Sequence, residues 1–452
     1  MREHGPKRPR LVMTGLALLT GMLLAGCSAA GAGGGSGDGS ITVAIVANPQ
    51  MRDIQELTKE FERQEPDVKV RYVTLPENEA RTRITQDVAT KAGQFDVVMI
   101  GTYEAPIWGR NDWLTDLNKY AKADAQYDVD DLIPSVRKAL TDQGKLYAVP
   151  FYGESSFLMY RKDLFEQAGL TMPEKPTWTQ VADFARKLKT GDRAGICLRG
   201  LPGWGEQLAP LDTVINTFGG RWYDTDWNAQ LNSPEATKAV RFYLDLVKDA
   251  GEPGAPNAGF SECLTAYSQG HAAMWYDATS AATSLEDPKV SNVVGKTGYV
   301  AAPVMETKSS GWLWAWSLAI PKTSSNPGAA WKYVSWATSK EYIRMVGEKL
   351  DWARVPPGSR LSTYDLDQYV KASSGSAETT LDALRSVDPD RPGNKPVPYK
   401  GIQYVGIPEF QDLGTKVSQE FAAVLAGNQS VDEALKKAQE EAQAVADDGY
   451  KD

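Results

Sequence analysis

The amino-terminal part of the chain predicts an α/β fold built on a parallel sheet, and three observations carry this. Ile41–Ala47 (ITVAIVA) and Phe95–Ile100 (FDVVMI) are short continuous apolar runs of the kind that form buried strands. Val68–Leu75 (VKVRYVTL) alternates as a further strand. Between them lie Met51–Gln64, with Ile54, Leu57, Thr58 and Phe61 at helical spacing, and a second helix over Ala80–Ala92. Asn48-Pro49 breaks the first strand and Pro66 ends the first helix. A β-α-β-α-β order places helices on both faces of a parallel sheet, and ligands bind such sheets outside the carboxyl ends of the strands. Those ends are Asn48-Pro49-Gln50 and Gly101-Thr102-Tyr103-Glu104.

Composition narrows the class. The chain has 452 residues, enough for two large lobes or three smaller domains. With 42% apolar and 24% charged residues it resembles a soluble globular protein, neither a disordered chain nor a membrane bundle. A formal net charge of −9 argues against a nucleic-acid partner, whose phosphates call for an excess of Lys and Arg. Two histidines, His4 and His271, cannot build a multi-histidine metal site, and nothing in the sequence asks for a cofactor. The 13 Trp and 19 Tyr fit either large packed interfaces or a site that stacks on C–H faces.

A second lobe begins near Pro150. Ala148–Tyr160 is strand-like, interrupted by Gly153-Glu154. Thr177-Trp178-Thr179 opens a helix over Gln180–Lys189, closed by Gly191, and Ala194–Leu198 is a short strand. Leu208–Phe218, Pro234–Ala250 and Ser261–Gly270 read as helices, the second with Ser233 as N-cap and Pro234 at its first position. Ala272–Tyr276 and Gly298–Ala302 are strands. Trp312–Ile320 is another, with Trp312, Trp314 and Trp316 on one face at period two. Helices over Ala329–Thr338 and Lys340–Lys349 lead to a break at Pro356-Pro357-Gly358. Pro408–Ala426 and Val431–Ala446 form a closing pair around Gly427-Asn428. No repeat of solenoid or propeller period is present.

The first residues are a targeting segment. Arg2, Lys7, Arg8 and Arg10 precede an apolar run from Leu11 to Ala25, then Leu24-Ala25-Gly26-Cys27. That is a secretory signal peptide over 1–26, its apolar run of about 15 residues short of the ~20 that span a bilayer. Leu-Ala-Gly-Cys is similar to a bacterial lipobox, in which the cysteine is acylated; the bland alternative is a plain secreted protein with an incidental Cys27. Residues 27–40 then hold the lipidated Cys27 and a Gly/Ser/Ala-rich linker with about 20 Å of flexible reach. Cys197 and Cys263 remain, an even number in an oxidising compartment, and are expected to form one disulfide rather than two buried thiols.

Five stretches, in this order, resemble the carbohydrate class of extracellular solute-binding proteins of bacterial ABC importers. They are the lipobox with its linker; Phe95–Val98 running into Gly101-Thr102-Tyr103; Lys145–Pro150 with Met159–Phe165 and Ala168–Leu170; Phe260–Thr279; and Trp316–Pro321. Each is weak alone; order and spacing make the likeness, which covers residues 41–446. Tyr152–Tyr160, Cys197–Gly200 and Trp275–Thr279 look most like the sorbitol/mannitol binders. The resemblance implies a two-lobed periplasmic-binding-protein-like fold of type II, each lobe a mainly parallel sheet flanked by helices. Strands cross between lobes near Pro150–Ser155, Trp312–Ile320 and Ala353–Ser362. The N-lobe is then 41–149 plus 321–355, and the C-lobe 150–320 plus 356–452. It also implies hinge closure over a polyol or sugar, and delivery to an importer permease. The protein is expected to be a monomer held to the outer face of the cytoplasmic membrane by a lipid anchor alone, and to perform no chemistry itself.

Candidate ligand residues follow from place. Glu154, at the first crossing, matches a ligand carboxylate of the family and can accept two hydroxyl protons; a hinge salt bridge is the alternative. Asp277 ends the strand Ala272–Tyr276 and is either ligand or helix cap. Asn48 and Gln50 follow the first strand, though Asn48 also suits a turn before Pro49. Thr102 and Tyr103 follow the third strand, and Tyr152 sits at the hinge. Trp204, in the loop Pro202–Gly205, is a stacking platform or a core anchor. Trp314 and Trp316 are ligand shelf or core. Arg199 and Arg360 offer bidentate donors to vicinal hydroxyls, or structural ion pairs. His271 reads as a surface residue and Asp96 as structural.

Competing classes are few. A secreted glycosidase would use Glu154 and Asp277 as paired carboxylates. A metal-binding lipoprotein would need clustered His or Cys ligands. Within the binding class, a di- or oligosaccharide is the alternative to a polyol, and would use a broad aromatic shelf.

Overall fold

The computed structural model describes residues 39–451, so the signal peptide, Cys27 and nearly all of the linker lie outside the described residues. In chain order the strands are β1 (Ser40–Val46), β2 (Lys69–Leu75), β3 (Val97–Ile100), β4 (Thr141–Asp142), β5 (Lys145–Leu146), β6 (Val149–Glu154), β7 (Ser156–Arg161), β8 (Met274–Ala278), β9 (Thr297–Ala301) and β10 (Trp314–Ala319). A five-stranded sheet runs β2-β1-β3-β10-β6 and a three-stranded sheet runs β8-β7-β9, with β4 and β5 a small hairpin. β1 is parallel to β2 and β3, as the β-α-β-α-β pattern requires, and its core residues Val43, Ala44 and Ile45 are fully buried.

Each sheet carries one reversed strand, β10 in the first and β7 in the second. The reason is geometric. β6 and β7 are a single crossing segment interrupted only at Ser155. It leaves the first sheet with its neighbours' direction and enters the second from the cleft side. The second sheet's own strands also point their carboxyl ends at the cleft, so the entrant runs against them. β10 makes the reverse crossing and is reversed in the first sheet for the same reason. The Ala194–Leu198 segment extends the second sheet in parallel beside β8, through bridges Ala194↔Ala272 and Cys197↔Trp275.

The third connection packs on the first. Gly153 N–H donates to Pro357 O at 2.9 Å. A Cβ on Gly153 would lie 2.3 Å from Gly358 O, and one on Gly358 (φ +69°) 2.0 Å from Gly153 O. Backbone thus touches backbone at the hinge, which only glycine on both sides allows.

Several helices begin earlier than their periodicity suggests. Pro49–Gln64 starts at its proline, with Asn48 Oδ1 accepting from Met51 N–H as cap. Glu77–Thr90 starts directly after β2, with Glu77 and Glu79 in its first turn where the helix dipole favours acids. The short helices Glu104–Arg110, Asn118–Ala123, Pro134–Ala139 and Asp367–Ala372 went unread, because two turns or fewer show no period. Cys197 and Cys263 are paired, with 5.7 Å between their Cα atoms, so the segment before Arg199 is tied to the helix Phe260–Ser268. Among the described residues no helix is long and apolar enough to cross a membrane.

Candidate functional site

A cavity of about 300 Å³ opens between the lobes. Asn48 reaches it from the end of β1, and Glu77 and Arg81 from the end of β2. Tyr152 and Glu154 come from the first crossing, and Trp312, Trp314 and Trp316 from the second. The second sheet's side supplies Arg199, Trp204, Glu206, Phe260 and Ser280, and Gln403 also lines the cavity. Of the sequence-derived candidates, the structure gathers Asn48, Tyr152, Glu154, Arg199, Trp204, Trp314 and Trp316 in one place.

Five candidates lie elsewhere. Gln50 spends its amide across the cleft rim, donating to Thr283 Oγ1 at 3.0 Å and Ser280 O at 3.4 Å. Thr102 donates to Leu313 O at 3.4 Å and accepts from the Tyr404 hydroxyl at 3.3 Å. Tyr103 turns its hydroxyl to Ile407 O (3.0 Å) and Pro408 O (3.1 Å). Asp277 is fully buried, and its oxygens are taken by Arg199, Trp275 Nε1 at 3.0 Å and Ala278 N–H at 2.7 Å; it positions Arg199 instead of facing the cavity. Arg360, also fully buried, donates to the carbonyls of Thr338, Tyr127 and Asp128 and pairs with Asp131, the structural ion pair that its residue type also allowed. His271 is exposed, and Asp96 accepts from Thr42 N–H and Ser324 Oγ beneath the sheet, as expected.

The cavity's polar groups are held in place by one another. Arg81 donates through Nη1 to Glu104 Oε1 at 2.6 Å, and through Nε and Nη2 to Glu77 Oε1 at 3.1 and 2.9 Å. Its guanidinium lies over three indoles, 4.0 Å from the Trp204 ring centre and 4.8 Å from those of Trp314 and Trp316. The indole stripe at period two therefore serves as a cation platform as well as a wall. Arg199 adds bonds to Gly205 O (2.9 Å) and Glu206 Oε2 (3.3 Å). Asn48 Nδ2 donates to the Tyr152 hydroxyl at 2.8 Å. Burial pushes Glu154 up to about 8, although a short hydrogen bond from Ser280 Oγ works the other way. Burial, then the charge of Glu77, also pushes Glu206 upward.

The residues that sequence reasoning missed are Glu77, Arg81, Glu206, Phe260, Ser280, Trp312 and Gln403. A signal existed for the first two, since they follow the carboxyl end of β2 as Asn48 follows β1. The glycosidase pairing does not form: Asp277 is closed off by Arg199, so it does not face Glu154 across the cavity. The sulfurs of Cys197 and Cys263 lie with Glu252 in one cluster, and pair with each other.

The profile of the family of bacterial extracellular solute-binding proteins matches residues 48–343. A mannitol-binding protein of Pseudomonas aeruginosa is 46% identical, over 89% of this chain and 92% of that protein. An erythritol/L-threitol-binding protein of Mycolicibacterium smegmatis is 27% identical over 68% of each. Among solved structures, an ABC transporter solute-binding protein from Agrobacterium vitis with bound D-mannitol superposes with a TM-score of 0.89 at 49% identity, covering 91% of this chain and 99% of that one. A ribitol complex of a solute-binding protein from Agrobacterium radiobacter gives 0.79 at 26% identity, covering 90% and 98%.

Proposed function

The chain belongs to the family of bacterial extracellular solute-binding proteins, and on that premise we propose that it captures an acyclic polyol between its lobes and hands it to the permease of an ABC importer. Mannitol, sorbitol and xylitol are the candidates. The observation that carries this reading is the cavity itself. Its volume of about 300 Å³ sits at the low end of the ~300–1,000 Å³ of small-molecule sites, which suits one short ligand. Its wall alternates charged hydrogen-bonding groups with indole faces. Glu154 and Glu206 accept from hydroxyls, Arg81 and Arg199 donate, and the tryptophans cover the carbon chain. Asn48, Tyr152, Ser280 and Gln403 complete the set. The likeness to mannitol- and ribitol-bound structures supports the same ligand class.

The lobes are 41–149 with 321–355 and 150–320 with 356–452, and they close about the Gly153–Gly358 contact. Cys27 is the site of lipidation, and the protein works as a monomer tethered outside the cytoplasmic membrane. The Cys197–Cys263 pair is a disulfide in that oxidising compartment. The chain binds and delivers; it does not turn its ligand over.

A thermal-shift screen of the mature protein tests the ligand class. A ligand specific for the folded state adds about 2.7 kcal/mol at a hundredfold excess over its Kd. A shift with mannitol, sorbitol or xylitol is expected. A shift with disaccharides or amino acids alone would overturn the polyol reading.

A further inference from the structure

A second interlobe cavity, of about 560 Å³, adjoins the first. The boundary between them can be followed through residues that face one cavity while their neighbours face the other. Trp312 and Trp314 line the first cavity and Leu313 the second; Gln403 lines the first and Tyr404 the second. Trp204 lines the first, and the Tyr103 ring that lines the second packs on it at 4.8 Å between centroids. The wall is therefore one aromatic layer on each side. Its parts come from different places in the fold: Tyr103 from the end of β3, Leu313 from the second crossing, and Tyr404 from the segment before the closing helix pair.

The wall is also tied together. Leu313 O accepts from Gln403 Nε2 at 2.8 Å and from Thr102 Oγ1 at 3.4 Å. The Tyr404 ring meets Tyr103 edge-on at 5.4 Å and Trp314 at 6.1 Å, and its hydroxyl reaches Thr102 Oγ1. Both tyrosines are buried. Neither donates a polar atom to the first cavity; each presents a ring that fills the gap between two hollow spaces.

We propose that Tyr103 and Tyr404 form a partition that sets the length of ligand the cleft accepts, closing the smaller cavity to any polyol that carries a glycosyl extension. This rests on the polyol reading above. With the partition in place the ligand has about 300 Å³; without it the two cavities join into one groove. The aromatic and charged lining of the second cavity, with Trp227, Tyr450, Arg110 and Asp390, would then meet a sugar ring.

The test compares sorbitol with maltitol, which is sorbitol bearing a glucosyl ring, by isothermal titration. The wild-type chain is expected to bind maltitol at least tenfold more weakly than sorbitol. In Tyr404→Ala, or in Tyr103→Ala as a second variant, that ratio is expected to fall at least tenfold while sorbitol affinity stays within threefold. A wild-type ratio below tenfold overturns the partition, and so does an unchanged ratio in folded variants. Should neither variant fold, the wild-type ratio alone decides. If the wild-type chain binds no polyol, the functional reading fails separately. The partition is then judged by the crystal structure of Tyr404→Ala, where two cavities still walled apart would overturn it.

Discussion

Arg199 and Asp277 form a two-point ion pair in the wall of the cleft, Nε to Oδ2 at 2.9 Å and Nη2 to Oδ1 at 2.5 Å. The carboxylate is fully buried and has no edge left for a ligand. Its part is to hold the guanidinium, whose Nη1 also bonds Gly205 O and Glu206, in the cavity wall. Removing one member of a buried pair leaves the other charged and unmatched, at a cost of about 3–5 kcal/mol. Asp277→Ala is therefore expected to lose stability of that order in urea denaturation, and to weaken polyol binding as Arg199 loses its orientation. Undiminished stability with abolished binding would instead return Asp277 to the ligand's own shell.

Glu154 makes the opposite case, a buried carboxyl with a hydroxyl donor and no directly paired cation. Its folded value of about 8 stands above the ordinary 4.5 because burial disfavours the charge. Between those values the folded chain holds a proton that the unfolded chain has released. Stability from this group is thus complete below pH 4.5 and falls as pH rises toward 8, by up to about 1.4 kcal/mol per pH unit. Glu154→Gln removes the titration. Ligand-free wild type should lose stability relative to this variant across pH 5–8, and parallel curves would contradict the assignment. Above pH 8, where Glu154 is ionised, the same substitution is expected to weaken polyol affinity by about 1.5–3 kcal/mol, the range for a hydrogen bond to a charged group.

These two carboxylates also show what the sequence disclosed and what it withheld. The sheet was legible because buried parallel strands are written as continuous apolar runs, and the residues just past them fall at a cleft. That rule found Asn48 after β1, while Tyr152 and Glu154 came from the crossing that the family resemblance implies; at β2 the same rule points to Glu77 and Arg81. It misplaced Thr102 and Tyr103, because Leu313 of the returning chain bonds to the end of β3 and roofs it. Asp277 and Arg360 failed differently. A ligand-binding charge and a buried structural charge are the same residue types, and only the positions of their partners separate them. Gln403 lies in a segment with no period and no motif, so nothing marked it.

The Cys197–Cys263 pair lies two residues before Arg199 and three after Phe260, two residues of the cavity wall. It closes a loop of sequence separation 66, for which loop-closure entropy gives about 4 kcal/mol. A Cys197→Ala/Cys263→Ala double variant should lose stability of that order in urea denaturation. Thiol titration of the unreduced wild-type protein should find neither cysteine free; two titratable thiols would remove the bridge.

The lipid anchor proposed at Cys27 has a direct test in cell fractionation. Cys27→Ala should move the protein from the membrane fraction to the soluble extracytoplasmic fraction with its polyol affinity unchanged. Continued membrane association would rule out the lipid anchor.

The contact of Gly153 with Gly358 makes the last prediction separable into two parts. Gly358 has φ +69°, and Gly144, in the turn between β4 and β5, has φ +76°. A left-handed backbone costs an L residue roughly 1–2 kcal/mol at either place. Gly144 has open space around its Cβ position, so Gly144→Ala should cost only that. At Gly358 the new methyl would stand 2.0 Å from Gly153 O, so the first and third connections must move apart. Gly358→Ala is thus expected to destabilise the chain by more than Gly144→Ala. It should also weaken polyol binding, because the displaced strand carries Tyr152 and Glu154. Equal costs in the two variants, with affinity unchanged in both, would show that the hinge tolerates the added atom and that the glycine contact does not govern closure.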